Sequence, residues 1–375
     1  MSTSEVMQAG RPLSPWLTDI VDCDVHQLAP DIELRRYLSD RWRRYHERYG
    51  LTARNAHARH FDPRPRKAGA RSDSWPPSGA LPGSDMNHLR GQLLERWDIS
   101  AAILNSIDMA YIGAETADYS HALTAAINDW TLHDWIERDD RFYASICISP
   151  EFPDRAIKEI ERFAGHPKFV QVLGNTATRD PLGSEKYWPI YEAASALGLP
   201  VAFHVGGAAT SPVTGSGWPV YYFELHAGWT VATQSQVVSL ICEGAVERFP
   251  DCQFVMQEGG FSWVPSLGWR LDSAWKLFGE DMPQLRKAPS QYLRNNFWFT
   301  TQPIEGPLEA KALARMLDDE TYRGHLLYAS DYPHWDFDAP DNVLPSELDP
   351  AIAVNIMGDN ARRLYIKLPK RESGS

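Results

Sequence analysis

A chain of 375 residues with 43% hydrophobic and 23% charged residues can bury a large core, which excludes an intrinsically disordered protein. Its 37 Lys and Arg stand against 49 Asp and Glu, and the formal net charge of −12 repels nucleic acid and anionic lipid, so neither is expected as a partner. No run of 18 uncharged apolar residues is present to span a bilayer and the opening MSTSEVMQAGRPLSP lacks a signal-peptide core, so a cytoplasmic protein is expected.

Short β-branched or apolar runs predict strands at 19–25 (DIVDCDV), 101–106 (AAILNS), 142–149 (FYASICIS), 168–174 (KFVQVLG), 199–205 (LPVAFHV), 252–258 (CQFVMQE), 296–302 (NFWFTTQ) and 325–331 (HLLYASD). Helical patterns fill most of the gaps, at 119–139, 153–165, 185–198 and 233–249, each with the i, i+3, i+4, i+7 apolar stripe that packs on a sheet. Alternation of strand and helix implies parallel strands covered on both faces, and eight repeats predict a closed (β/α)8 TIM barrel, one domain over residues 1–375. An open doubly wound sheet is the runner-up, but no GxGxxG follows the first strand, which argues against a dinucleotide site. Residues 27–100 are too many for one crossover helix. They hold a basic amphipathic piece and a Pro/Gly/Ser-rich loop, and are expected to cover the site as a lid, the alternative being a surface excursion or oligomer contact. The tail beyond about Leu368 reads as frayed. Cys23, Cys147, Cys242 and Cys252 show no CxxC spacing and predict neither a disulfide framework nor a zinc finger.

In a parallel barrel the polar residues at strand C-termini share one mouth, so those ends carry the candidate chemistry. Alternation along the first strand sends Asp22, Asp24 and His26 to one face, where three ionisable groups would be costly without a cation or partners. A turn-capping Asp22 with a hydrogen-bonded His26 is the structural alternative. The fifth strand closes with His204 followed by Gly206 and Gly207, and the sixth with Glu258, which requires a partner such as Arg270, a metal, or a raised pKa. The eighth ends in Asp331, after which Pro333 turns the chain to present His334 and Trp335. Together His26, His204, Asp24 and Asp331 form a mixed N/O donor set suited to one divalent ion, Zn2+ first, with Mn2+ or Fe2+ as alternatives.

The segments VDCDVH (21–26), WPIYEAASALGLPVAFHVGG (188–207), RFPDCQFVMQEGG (248–260) followed by Trp263 and Pro265, YASDYPHWD (328–336) and IMGDNARRLY (356–365) resemble the amidohydrolase superfamily. The similar branch is the amidohydrolase-related one, with aminocarboxymuconate semialdehyde decarboxylase and the resorcylate decarboxylases. The resemblance implies a single divalent metal on Asp24, His26, His204 and Asp331, and a homodimer. Two departures stand out. Asp24 replaces the usual His or Glu, which should suit Mn2+ as well as Zn2+, and Glu258 stands where a catalytic His is usual. His226, read as part of the loop after the fifth strand, or His334 would then supply the imidazole. Lys168 begins the fourth strand rather than ending it, so no carbamylated-lysine binuclear centre is expected.

The leading expectation is a metal-dependent hydrolase that cleaves a C–N, C–O or activated C–C bond with metal-activated water. Asp331 would take the proton and Glu258 or His334 protonate the leaving group or orient the substrate. The alternative is a non-oxidative decarboxylase of a hydroxylated aromatic acid, with Asp331 protonating the ring carbon. A third reading is an inactive ligand-binding barrel. Fourteen Trp, among them Trp263, Trp298 and Trp335 near strand ends or loops, favour a flat aromatic substrate, with His226 and Arg270 as further contacts and Trp218, Tyr221 and Tyr222 lining the mouth.

Overall fold

The computed structural model describes residues 16–51, 69–107, 115–206, 212–306 and 309–371. The opening residues 1–15, residues 52–68 of the expected lid, Gly207 and residues 372–375 lie outside the described residues. Eight strands form one sheet in sequence order: β1 (Ile20–Val25), β2 (Ile99–Leu104), β3 (Phe142–Cys147), β4 (Phe169–Asn175), β5 (Val201–His204), β6 (Phe254–Gln257), β7 (Phe297–Thr300) and β8 (Leu326–Leu327). Every neighbouring pair is parallel. The seam closes where the segment after β8 meets β1: the Cys23 amide donates to Tyr328 O at 2.9 Å, His26 N to Tyr332 O at 2.7 Å, and Asp331 N to Asp24 O at 3.0 Å. This is the expected (β/α)8 barrel.

The strands are buried on both faces, as an all-parallel sheet requires, and read as nearly continuous apolar runs for that reason. The principal helices are α1 (Asp40–Tyr49), α2 (Ala117–Asp134), α3 (Pro153–Phe163), α4 (Trp188–Ala196), α5 (Tyr222–Cys242), α6 (Val264–Phe278), α7 (Pro289–Asn296) and α8 (Ala310–Leu317). Proline begins α3 and α7, where a missing N–H costs nothing. Among the described residues no helix is long and apolar enough to cross a membrane.

The described part of the 27–100 insertion is tied down at two places. Its first half packs on α2: His46 is held between Asp31 Oδ1 at 2.7 Å and Tyr119 Oη at 2.5 Å, and Trp42 stacks on Tyr119. Its second half is stitched to the loop that follows β8. Ala70 bridges His334, Arg71 N donates to Pro333 O at 3.0 Å, and Tyr332 Oη donates to Gln92 Oε1 at 2.8 Å. Gly83 lies against β1 itself, at φ +78°, and a Cβ there would sit 2.7 Å from the backbone oxygen of His26. Gly83→Ala is therefore expected to lower stability by about 1–2 kcal/mol from the backbone alone, and more from the overlap. A lower Tm with new proteolytic cleavage between residues 69 and 92 checks it.

Candidate metal centre

Asp24 lies one residue before the end of β1 and His26 just past it, His204 ends β5, and Asp331 follows β8, so the barrel brings four side chains from distant sequence positions to one mouth. One ligand-type atom from each lies within 4.8 Å of the others. Asp331 Oδ1 is 2.9 Å from His26 Nε2, Asp24 Oδ2 is 3.3 Å from His204 Nε2, and the two imidazole centroids are 4.8 Å apart. Asp24 and Asp331 are completely buried, and His26 and His204 almost so.

Each imidazole is oriented by its far nitrogen. His26 Nδ1 is 2.7 Å from Asn105 O and His204 Nδ1 is 2.7 Å from Val205 O. A carbonyl only accepts, so Nδ1 carries the hydrogen and Nε2 is the nitrogen that faces the mouth, there to ligate a cation or, without one, to take a proton. His26 Nε2, His204 Nε2, Asp24 Oδ2 and Asp331 Oδ2 are then buried atoms without a hydrogen-bond partner. Four such orphans converging on one point are costly unless a cation satisfies them, and two imidazole nitrogens with two carboxylate oxygens are a donor set that Zn2+, Mn2+ or Fe2+ accepts. The residues fit a divalent ion.

Two further acids and two further imidazoles surround these donors. Glu258 Oε2 lies 3.2 Å from His204 Nε2, and His334 Nδ1 donates to Asp331 Oδ1 at 2.7 Å. Glu258 and Asp331 both adopt left-handed backbone, at φ 56° and 57°. A non-glycine residue there costs roughly 1–3 kcal/mol and tends to persist where function needs it. His226 lies on α5 rather than in a loop, a correction to the sequence reading, since α5 begins eleven residues before the expected start at 233. There it pairs with Asp336 at 2.9 Å, and Asp336 also accepts from Gln302 Nε2 at 2.9 Å.

The expected substrate contacts divide. Trp335 is half exposed at the mouth, where its Nε1 donates to Tyr222 Oη at 3.0 Å and its ring meets His226. Trp218 and Tyr221 are exposed. Trp263 is buried with its Nε1 on Gly259 O and its ring edge-on to Phe299. Trp298 is not brought to the mouth: its Nε1 donates to Gln253 and its ring meets His325, residues that precede β6 and β8 at the other end of the barrel. Arg270 sits on the exposed face of α6, and the partner of Glu258 is His204 instead of this arginine. Asn105, which follows β2 and donates to Asp24 Oδ1 at 2.7 Å, is a functional residue beyond those expected from the sequence, and its only sequence signal is a polar side chain at a strand end.

The charges set a pH dependence. Burial works to lower His26 and His204, but Asp24 with its neighbouring acids outweighs it and pushes both up to about 9 in the cation-free protein. Burial opposes ionisation of Asp24 and Asp331 as well, yet the surrounding imidazoles hold both below the usual carboxylate range. Burial pushes Asp22 up to about 7 and Glu258 well above its ordinary value. The raised imidazoles contribute stability that is complete below about pH 6.5 and is lost as pH rises through about 9. The raised carboxyls of Asp22 and Glu258 add to the loss on that side, whereas the depressed Asp24 and Asp331 lose theirs as pH falls below the carboxylate range. The cation-free protein is thus expected to melt at its highest temperature between about pH 4 and 6.5 and to weaken steadily towards pH 9. Saturating Mn2+ should flatten the alkaline limb, because bound imidazoles are already deprotonated. Melting curves with and without the ion check both parts.

The amidohydrolase family profile matches residues 21–366. The chain is 24% identical over 314 residues to a gamma-resorcylate decarboxylase from Polaromonas sp. (strain JS666), covering 77% of this chain and 93% of that protein. Its structure is similar to 5-carboxyvanillate decarboxylase from Sphingomonas paucimobilis (TM-score 0.67, 19% identity, 92% of this chain and 98% of the other). It is also similar to 5-carboxyvanillate decarboxylase from Novosphingobium aromaticivorans complexed with manganese and 4-hydroxy-3-methoxy-5-nitrobenzoic acid (TM-score 0.68, 17% identity, 92% and 96%).

Proposed function

The chain belongs to the amidohydrolase family, and on that premise we propose that it is a divalent-metal-dependent carboxy-lyase that removes carbon dioxide from a hydroxylated aromatic acid without an oxidant. The observation that carries this reading is the placement of Asp331, one of the four converging donors and at the same time hydrogen-bonded to His334. An acid in that position can face a substrate bound at the donors while a second titratable group stands behind it. The decarboxylases to which the chain is similar support carbon–carbon cleavage over hydrolysis. Hydrolysis, the first expectation from the sequence, has the support of the family as a whole.

Asp24, His26, His204 and Asp331 would hold the ion. When bound, a divalent cation supplies positive charge that attracts a substrate carboxylate and its neighbouring hydroxyl oxygen. Two carboxylates among the donors make Mn2+ as acceptable as Zn2+, and a related structure contains manganese. In the reaction Asp331, ionised at rest among the imidazoles, passes to the ring carbon a proton that reaches it from His334. The bond to the carboxylate then breaks, its electron pair restores the ring, and carbon dioxide leaves. Glu258, beside His204, binds and orients the substrate hydroxyl. The insertion, fastened to the loop after β8, acts as a lid that keeps water from the ring.

The test is incubation of Mn2+-loaded protein with γ-resorcylate and 5-carboxyvanillate. Carbon dioxide release, with one deuterium at the vacated ring carbon in D2O, is the expected result. Cleavage of nitrophenyl esters or anilides, with no carbon dioxide from either acid, would overturn the reading in favour of hydrolysis. Glu258→Gln is expected to keep one bound ion while kcat falls about 10²-fold. An empty metal site in a folded Glu258→Gln protein would instead make Glu258 a ligand.

A further inference from the structure

A line of buried polar side chains runs from Asp24 across the interior of the barrel. Asn105 Nδ2 donates to Asp24 Oδ1 at 2.7 Å, Ser145 Oγ to Asn105 Oδ1 at 2.5 Å, Gln171 Nε2 to Ser145 Oγ at 2.8 Å, and Tyr365 Oη to Gln171 Oε1 at 2.8 Å. All five residues are at most 1% exposed, so water cannot replace a missing partner.

The direction of every hydrogen follows from one end. An ionised Asp24 only accepts, so Asn105 must turn its NH2 towards it, which aims Asn105 Oδ1 at Ser145. The serine hydroxyl must then donate to that oxygen and accept from Gln171, whose remaining oxygen accepts from Tyr365. A flipped Asn105 amide would set two acceptor oxygens 2.7 Å apart. Chains oriented in one sense polarise each successive bond.

This arrangement decides which atoms β1 presents. Asp24 Oδ1 is taken by Asn105, which leaves Oδ2 as the buried orphan among the donors. The backbone oxygen of the same Asn105 takes the Nδ1 hydrogen of His26 and leaves its Nε2 as another orphan. One residue thereby fixes both the oxygen and the nitrogen offered by the first strand.

We propose that Asn105 is a positioning residue for the metal site, holding Asp24 to a single free oxygen, and that Ser145 and Gln171, locked by Tyr365, keep the Asn105 amide in the required sense. The proposal rests on the reading of the four donors as a cation site. A network present only to satisfy the core would affect stability and leave ion affinity alone.

The experiment is titration of cation-free protein with Mn2+, following the free-ion electron paramagnetic resonance signal, for wild type, Asn105→Ala and Ser145→Ala, with a melting curve for each. Wild type is expected to bind one equivalent. Asn105→Ala, which keeps the backbone oxygen for His26, is expected to bind about 10–100-fold more weakly, and Ser145→Ala to weaken binding in the same direction by less. A folded Asn105→Ala with wild-type affinity overturns the proposal, and if that variant does not fold, wild-type affinity in Ser145→Ala does the same. Failure of the wild type to take up Mn2+ or Zn2+ overturns the cation site itself, a result distinct from a wild type that binds and an Asn105 variant that matches it.

Discussion

Asp331→Asn is expected to fold, to retain the barrel seam, and to lose about 10²–10⁴-fold in kcat. The substitution is informative because it changes little else. Asp331 sits at φ 57°, a conformation that asparagine tolerates nearly as well as aspartate, so the backbone has no new reason to move. Its amide nitrogen still donates to Asp24 O at 3.0 Å. What disappears is an ionisable oxygen between His26 and His334, and with it the group that would carry a proton to the substrate. The amide oxygen remains able to face the ion, so affinity for Mn2+ should fall much less than turnover. Steady-state kinetics beside Mn2+ titration separates the two effects, and equal losses in both would show that Asp331 serves only as a ligand.

The larger effect is expected from His204→Ala. The imidazole is the sole donor from β5, and its removal leaves Asp24 Oδ2 and Glu258 facing a gap. Three charged or titratable side chains would then converge without the nitrogen that completes the set. Bound metal should fall from one equivalent to a level undetectable by elemental analysis after dialysis, and activity with it to background. The cation-free variant is expected to lose less of its melting temperature between pH 6.5 and 9 than the cation-free parent, because His204, pushed up to about 9, no longer titrates there. A His204→Ala protein that retained one tightly bound ion and catalysis would remove His204 from the centre.

Much of this was legible because barrel geometry turns sequence positions into spatial ones. Each of β1, β5, β6 and β8 is an apolar run with an ionisable residue at or just past its end, and the fold places all such ends at one mouth. The strand assignments survive with shifted ends: β2 begins two residues earlier and β4 runs one further than expected, and the trimming is greatest at β8, where only Leu326–Leu327 form ladder pairs with β7. The residues beyond them instead bond to β1, a pairing no local pattern announces. Trp298 and Arg270 show the opposite limit. A tryptophan within a strand can point to either end or face, and an arginine on a helix can be placed only when the helix phase is known. The sequence reads as a loop around His226 because the first turns of α5, rich in aromatics and with much of their surface exposed, carry no apolar stripe of one face. Asn105 lies at the end of the expected second strand, but as a neutral amide it carries no charge to mark it until its partner Asp24 on the neighbouring strand is known.

The seam has a consequence for biogenesis. Asp24 and His26 lie on one side of the joint between the first strand and the segment after the last, and Asp331 lies on the other. A nascent polypeptide cannot assemble the ion's cradle until its C-terminal part has left the ribosome and docked on the earliest-made strand. On the proposed reading of the site, metal uptake would then be a late event in maturation. An ion held by these donors would rivet the early-made strand to the late segment, so its removal is expected to loosen the cylinder at that joint before elsewhere.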